Sequence, residues 1–164
     1  MKGCVIPGSF DPITIGHLNL IERCSALYDR VTVAVMVNIH KPGTIPHEDR
    51  VEIIRKACGG ISNVQVELWK GLLADFMKEH PGKPVIRSVR SCAEFETEIT
   101  SAEINRRLYP GTETLLMPAA PELADISSSA VREIAAFGGD IRGLVPENVY
   151  REISRKLSEA GEKK

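Results

Sequence analysis

The stretch Pro7-Gly8-Ser9-Phe10-Asp11-Pro12-Ile13-Thr14-Ile15-Gly16-His17 gathers residue types that could do phosphate chemistry. Gly8 lets the backbone approach a ligand closely. Ser9 adds a hydroxyl and an N–H. Capping of the following helix by Thr14 or a neighbour would put His17 in the first turn, where N–H groups and the helix dipole favour an anion. A histidine there can donate to a phosphate oxygen; the plainer alternative is a strand–turn–helix junction whose histidine caps a loop. No Gly-Lys-Ser/Thr follows, so this is not a Walker loop, and it is not the dinucleotide Gly-x-Gly-x-x-Gly.

Four further constellations carry charge or hydroxyls. Lys41 lies in Asn38-Ile39-His40-Lys41-Pro42-Gly43, either a phosphate-binding cation or a solvated loop lysine. Arg87 and Arg90 flank Ser88 and Val89; arginine is planar, always charged and able to grip phosphate oxygens in pairs. Glu94, Glu96, Glu98 and Glu103 read as a solvated helix face rather than an acid/base or metal set. Ile126-Ser127-Ser128-Ser129-Ala130-Val131-Arg132 brings serines to a helix start, where they cap orphan N–H groups or hold phosphate oxygens. No serine stands in a nucleophile elbow, so a covalent hydrolase is not supported. Cations and N–H donors without a nucleophile suit phosphoryl or nucleotidyl transfer, where catalysis is positioning and charge neutralisation.

The elements that must position these residues alternate. Strands are expected at Cys4 to Ile6, Val31 to Val37, Val64 to Leu68, Pro84 to Ile86 and Thr114 to Met117. The second is nearly continuous and β-branched, as a strand buried on both faces would be; the third alternates, as nearer an edge. Between them, apolar residues recur at helical spacing: Leu18, Ile21, Cys24 and Tyr28; then Val51, Ile54, Ala57 and Cys58, after Pro46 and with Glu48 and Asp49 in the first turn. Further helices are expected over Leu72 to His80, Ala93 to Leu108, around Val131, Ile134 and Ala135, and along Val149, Ile153 and Leu157. Strands alternating with helices predict an α/β fold: a Rossmann-like doubly wound parallel sheet with helices on both faces. Ligands bind such sheets at the carboxyl ends of the strands, which is where these constellations fall. A single domain over residues 1–158 is expected, with 159–164 a polar, frayed tail.

Composition narrows the function classes. The 164 residues are 43% hydrophobic and 26% charged with a net charge of −1, which argues against non-specific nucleic-acid binding and an anionic membrane surface. No apolar run approaches the ~20 residues that span a bilayer. The N-terminus meets Pro7-Gly8 too soon for a signal peptide and reads as a strand. Cys4, Cys24, Cys58 and Cys92 are far apart, with neither zinc nor disulfide spacing; Cys24 and Cys58 fall on apolar helix faces as small core residues. A reducing, cytoplasmic setting is expected.

Pro-Gly-Ser-Phe-Asp-Pro-x-Thr-x-Gly-His, the lysine after the second strand, Arg-x-x-Arg, Phe95-Glu96-x-Glu98, Asn105 and Ile-Ser-Ser-Ser-x-Val-Arg together resemble the phosphopantetheine adenylyltransferase family, over nearly the whole chain to Val145-Pro146-Glu147-Asn148-Val149. The first and last motifs also occur across the nucleotidylyltransferase superfamily. The resemblance implies attack of the 4′-phosphate of phosphopantetheine on the α-phosphate of ATP, with Mg²⁺ assisting and no covalent enzyme intermediate. The products would be dephospho-coenzyme A and pyrophosphate, in the penultimate step of coenzyme A synthesis. It implies His17, Lys41 and Arg90 as catalytic residues, with His17 on the α-phosphate. Ser9, Lys41, Leu73 and Arg87 would bind the acceptor, Lys41 and Arg87 at its phosphate. Ser9, Phe10, His17, Ser88, Val89, Arg90, Glu98 and the run Leu123, Ala124, Asp125, Ile126, Ser127, Ser128 and Ser129 would contact ATP. It implies no metal site built from protein side chains, a homo-oligomer (a hexamer), and coenzyme A as an inhibitor, with neither nucleic acid nor membrane as partner. The chain departs from the family pattern: Ser9 stands for threonine, Asn19 for aspartate, Ser88-Val89 for Gly-Leu, Thr97 for tyrosine, and Leu123-Ala124-Asp125 for an aromatic–serine–aromatic run. These bear on the nucleotide pocket more than on the reaction class. Two alternatives stay open: another nucleotidylyltransferase, and a non-catalytic nucleotide- or coenzyme A-binding module.

Overall fold

The computed structural model of the chain describes residues 2–37 and 43–161. Five strands, β1 (Gly3–Gly8), β2 (Arg30–Met36), β3 (Val64–Trp69), β4 (Val85–Val89) and β5 (Thr114–Pro118), form one parallel sheet in the order β3-β2-β1-β4-β5. Among the described residues, helices α1 (Ile15–Leu27), α2 (His47–Ala57), α3 (Leu73–Glu79), α4 (Cys92–Leu108), α5 (Ser128–Ala136) and α6 (Tyr150–Gly161) connect and cover it. Because side chains alternate along a strand, the sheet feeds two cores. Cys4 and Ile6 of β1, with Val31, Val33 and Val35 of β2, pack against Ile21 and Cys24 of α1, Ile54 of α2, Val131 of α5 and Ile153 of α6. Val5, Ala34 and Val85 point the other way, onto Phe76 and Met77 of α3. The doubly wound fold expected from the alternating pattern is the one observed, and the alternating third strand is an edge.

Local chemistry explains the element boundaries. Ser91 caps α4 by accepting the Glu94 N–H, and Ser127 caps α5 by accepting that of Ala130. Helix α2 follows Pro46 and carries Glu48 and Asp49 at its start and Arg55 and Lys56 at its end, which complements the dipole at both ends. Helix α6 is pinned to α2 by Lys56–Glu152 and Lys156–Asp49 ion pairs. It runs on to Gly161, so the first three residues of the expected frayed tail are helical; the remainder lie outside the described residues. Cys4, Cys24 and Cys58 are buried free thiols and Cys92 is exposed. Burial pushes the Cys58 thiol up to about 11, which suits a core residue.

Candidate active site

The strand order reverses between β1 and β4, and a crevice opens there. Pro7 helps to cause it. Val5 donates its N–H toward β4, to the Pro84 carbonyl at 2.9 Å. Pro7, two residues on, faces the same side but has no N–H to give. The β1–β4 ladder accordingly holds only the Val5–Val85 pair, whereas β1 pairs with β2 all the way to Gly8–Val35. The Pro7 carbonyl is instead taken by the side chain of Arg87, whose Nη1 donates to it at 2.6 Å. A proline that cuts a ladder short thereby fixes an arginine at the mouth of the crevice.

The loop leaving β1 seats His17. Thr14 is the N-cap of α1 and His17 its third helical residue. The His17 N–H donates to Thr14 Oγ1 at 3.3 Å, and the Thr14 N–H donates back to His17 Nδ1 at 3.1 Å. This is a capping box with histidine in the place usually held by glutamate or glutamine. Since Nδ1 accepts, the neutral ring carries its proton on Nε2. Loss of hydration, with Arg87 and Arg90 nearby as lesser causes, lowers the His17 pKa to about 4. His17 is therefore an uncharged donor at neutral pH. The buried ring of Phe10 meets it edge-on, with centroids 5.0 Å apart. Phe10 itself has φ +46°, and a Cβ on Gly8 would come within 2.9 Å of its ring, so the glycine is what lets the loop fold back.

Both arginines are ion-paired to α4. Glu98 takes Arg87 side-on, accepting from Nε at 2.9 Å and Nη2 at 2.6 Å. Glu94, one turn earlier, takes Nε of Arg90 at 3.1 Å, together with its Nη2 and its backbone N–H. Glu96 and Glu103 are exposed, so the acidic helix expected to be a solvated face is one only in part.

A second buried network, invisible in the spacing, braces the floor. Asp11 accepts the N–H groups of Thr44 at 2.8 Å and Ile45 at 2.9 Å. Arg50, only 3% exposed, donates to the carbonyls of Ile45 at 2.6 Å and Ser9 at 3.0 Å and faces Asp11 at 3.5 Å. The space a Cβ on Gly43 would need is filled by the Arg50 guanidinium. Ser128 Oγ donates to the Pro12 carbonyl at 2.7 Å, and Arg132 donates to the Asp11 carbonyl and to Ser129 Oγ. The three serines thus spend their hydroxyls on capping and bracing at the start of α5.

Two cavities meet at this point. The larger, about 970 Å³, is lined by Ser9, Phe10, His17, Arg87, Ser88, Arg90 and Glu98, and across the crevice by Leu123, Ile126 and Ser127 to Ser129. The smaller, about 740 Å³, carries Met36, Val37, Leu72, Leu73 and Ala102. Pro7, Gly8, Ser9, Arg87 and Glu98 line both. Of the residues expected at the site, Val89, Ala124 and Asp125 line neither, and Lys41 lies outside the described residues. Sequence reasoning missed Asp11, Arg50 and Arg132 as bracing residues and Glu94 as a partner of Arg90. Asp11 and Arg132 stood inside the motifs quoted above, whereas nothing in the apparently solvated first turn of α2 marked Arg50.

Residues 5–134 match the cytidylyltransferase-like family. The chain is 44% identical over 158 residues to the phosphopantetheine adenylyltransferase of Rubrobacter xylanophilus, covering 96% of both proteins. It is 44% identical over 158 residues to that of Clostridium botulinum strain 657, again over 96% of both. A crystal structure of a candidate nicotinate-nucleotide adenylyltransferase from Vibrio parahaemolyticus shares the fold, with a TM-score of 0.67 at 17% identity over 98% of this chain and 94% of its own. The chain belongs to the cytidylyltransferase-like family and, within it, to the phosphopantetheine adenylyltransferases.

Proposed function

We propose that the chain transfers the adenylyl group of ATP to 4′-phosphopantetheine, releasing pyrophosphate and forming dephospho-coenzyme A in coenzyme A biosynthesis. The observation that carries this reading is the pair of cavities joined at Pro7–Ser9, Arg87 and Glu98. One is rich in cations and N–H donors, as a triphosphate needs; the other has apolar walls suited to a long, uncharged arm. The two reacting phosphates then meet where the cavities join. A phosphate oxygen of the acceptor attacks the α-phosphorus, and the bond to the β-phosphate breaks with pyrophosphate leaving in line. No group of the protein is alkylated, acylated or phosphorylated on the way.

In this assignment Arg87 and Lys41 grip the acceptor phosphate, while Ser9 lies between the substrates and Leu73 against the arm. His17 Nε2–H donates to the α-phosphate, where charge builds in the transition state. Arg90, the backbone of Ser88 and the first turn of α5 receive the nucleotide. Arg87 keeps two N–H groups free after its bonds to Glu98 and Pro7, so it can hold a phosphate without leaving its carboxylate. Mg²⁺ would enter with ATP and neutralise phosphate charge. Among the described residues no three of His, Cys, Asp and Glu converge.

Helix α4 has no buried residue and, with β5, exposes Phe95, Ile99, Leu108 and Leu115, a surface that suits contact between copies of this chain in a homo-oligomer such as the hexamer. No described helix is long and apolar enough to cross a membrane. A cytoplasmic location is proposed on the free thiols alone. Coenzyme A, which shares the arm, is expected to compete for the smaller cavity.

An acceptor panel tests the assignment: with ATP and Mg²⁺, phosphopantetheine should support pyrophosphate release at least a hundredfold faster than nicotinamide mononucleotide or nicotinate mononucleotide. A preference for a mononucleotide would reassign the enzyme within its superfamily, and tight ligand binding without any release would make it a binding module.

A further inference from the structure

Arg90 leaves the end of β4 on a loop, where a long side chain has many rotamers to choose from, yet its guanidinium is fixed from two sides. Glu94 binds its Nε, its Nη2 and the backbone N–H of the same residue, and the Ile126 carbonyl accepts from Nη1 at 3.1 Å. Arginine has five side-chain N–H groups, so one on each Nη is left unused. Both side chains are 34% exposed at the rim of the larger cavity, and Glu94 lines that cavity alone. The hydrogen bond from Arg90, the strongest influence on its carboxyl, holds Glu94 below the usual carboxylate range, so the pair stays charged at neutral pH. One helical turn on, Glu98 grips Arg87 with the same side-on fork. A single helix thus sets the guanidinium planes of both arginines.

We propose that Glu94 is a positioning residue for nucleotide binding: it holds Arg90 so that its two unused N–H groups face the phosphates of the nucleotide. This rests on the reading above that the larger cavity takes ATP. The sign follows from exposure. Solvent at the rim screens the repulsion between Glu94 and a phosphate. Releasing Arg90, by contrast, makes ATP order a long side chain with many rotamers. Pre-orientation therefore wins over charge competition.

The test is ATP binding by titration calorimetry, which needs no turnover, for the unmodified protein, Glu94→Ala, Glu94→Gln, Arg90→Ala and the double variant Arg90→Ala/Glu94→Ala. Glu94→Ala should weaken ATP about tenfold, because the nucleotide must then immobilise the Arg90 side chain itself. Glu94→Gln, which keeps an acceptor oxygen, should fall between the two. With Arg90 already removed, Glu94→Ala should change ATP affinity by less than about twofold. In steady state the KM for phosphopantetheine should not move. Tighter ATP binding in Glu94→Ala would make the carboxylate a competitor instead. An equal loss with and without Arg90 would reduce Glu94 to a helix-start acid; unchanged affinity would also overturn the proposal. Failure of the unmodified protein to bind ATP would overturn both this proposal and the nucleotide reading. Binding without product would overturn only the proposed reaction.

Discussion

Replacing His17 separates the proposed catalytic role from the observed capping role, because the two use different atoms of one side chain. Nδ1 accepts the Thr14 N–H at 3.1 Å, and Thr14 is 1% exposed. In the proposed mechanism Nε2 holds the proton offered to the α-phosphate. His17→Ala removes both. Loss of one pre-set donor to developing charge typically costs ~10²–10³ in turnover. The abandoned cap costs about 1 kcal/mol, which in a domain of this size lowers the melting midpoint by about 2–4 °C. His17→Gln restores the usual capping-box residue and should recover the midpoint. Its amide meets the phosphate from a different direction, so turnover should stay at least ~10-fold down, against the full loss of that donor in alanine. The KM for ATP should change less than kcat in both variants, since the contact strengthens only in the transition state. Steady-state kinetics with coupled pyrophosphate detection and differential scanning fluorimetry on the same preparations read the two effects. Turnover of His17→Ala within a few-fold of the unmodified protein would refute the catalytic role. Full recovery of turnover in His17→Gln would show that the direction of the imidazole N–H is not what matters.

Titration of the free protein followed by histidine ring NMR should place His17 near pH 4. The unfolded chain takes up that proton near 6.5, so this group destabilises the fold as pH falls from about 6.5 toward 4 and has no effect above; a midpoint near 6.5 would contradict a desolvated ring. Arg87→Ala should raise the KM for phosphopantetheine by about ten- to a hundredfold, since it removes a charged donor and leaves Glu98 facing the phosphate; a larger effect on ATP would exchange the two sites. Gly8→Ala should lower both stability, by about 1–3 kcal/mol, and turnover, because the new Cβ meets the buried Phe10 ring, which in turn contacts His17. Normal melting and kinetics would show that the loop can shift at no cost.

The architecture was legible because its strands are short β-branched runs and its helices carry apolar residues at regular spacing. The boundaries moved where hydrogen bonds rather than hydrophobicity decide them. Strand β1 runs on through Pro7 to Gly8, paired with β2 on its other side, and β4 carries Arg87 inside the strand. His17 was legible as a first-turn histidine, since Thr14 announces the helix start. Its tautomer was not, because that depends on which atom of Thr14 returns the bond. Charge partners were the least legible. Glu94 and Glu98 look like any solvated acidic face until β4 brings two arginines against them. Arg50 follows the acidic Glu48 and Asp49 with nothing to single it out, yet it is buried and bonds the Ser9 carbonyl, a partner 41 positions away. Such pairings are set by which strands and helices the fold brings side by side, not by local pattern.

The most direct test of the central claim is to incubate the protein with ATP, Mg²⁺ and 4′-phosphopantetheine and follow both products together. Adenylyl transfer to phosphopantetheine yields pyrophosphate and dephospho-coenzyme A in equal amounts, with neither appearing when phosphopantetheine is omitted. Pyrophosphate without dephospho-coenzyme A, or no product while both ligands bind, would contradict it.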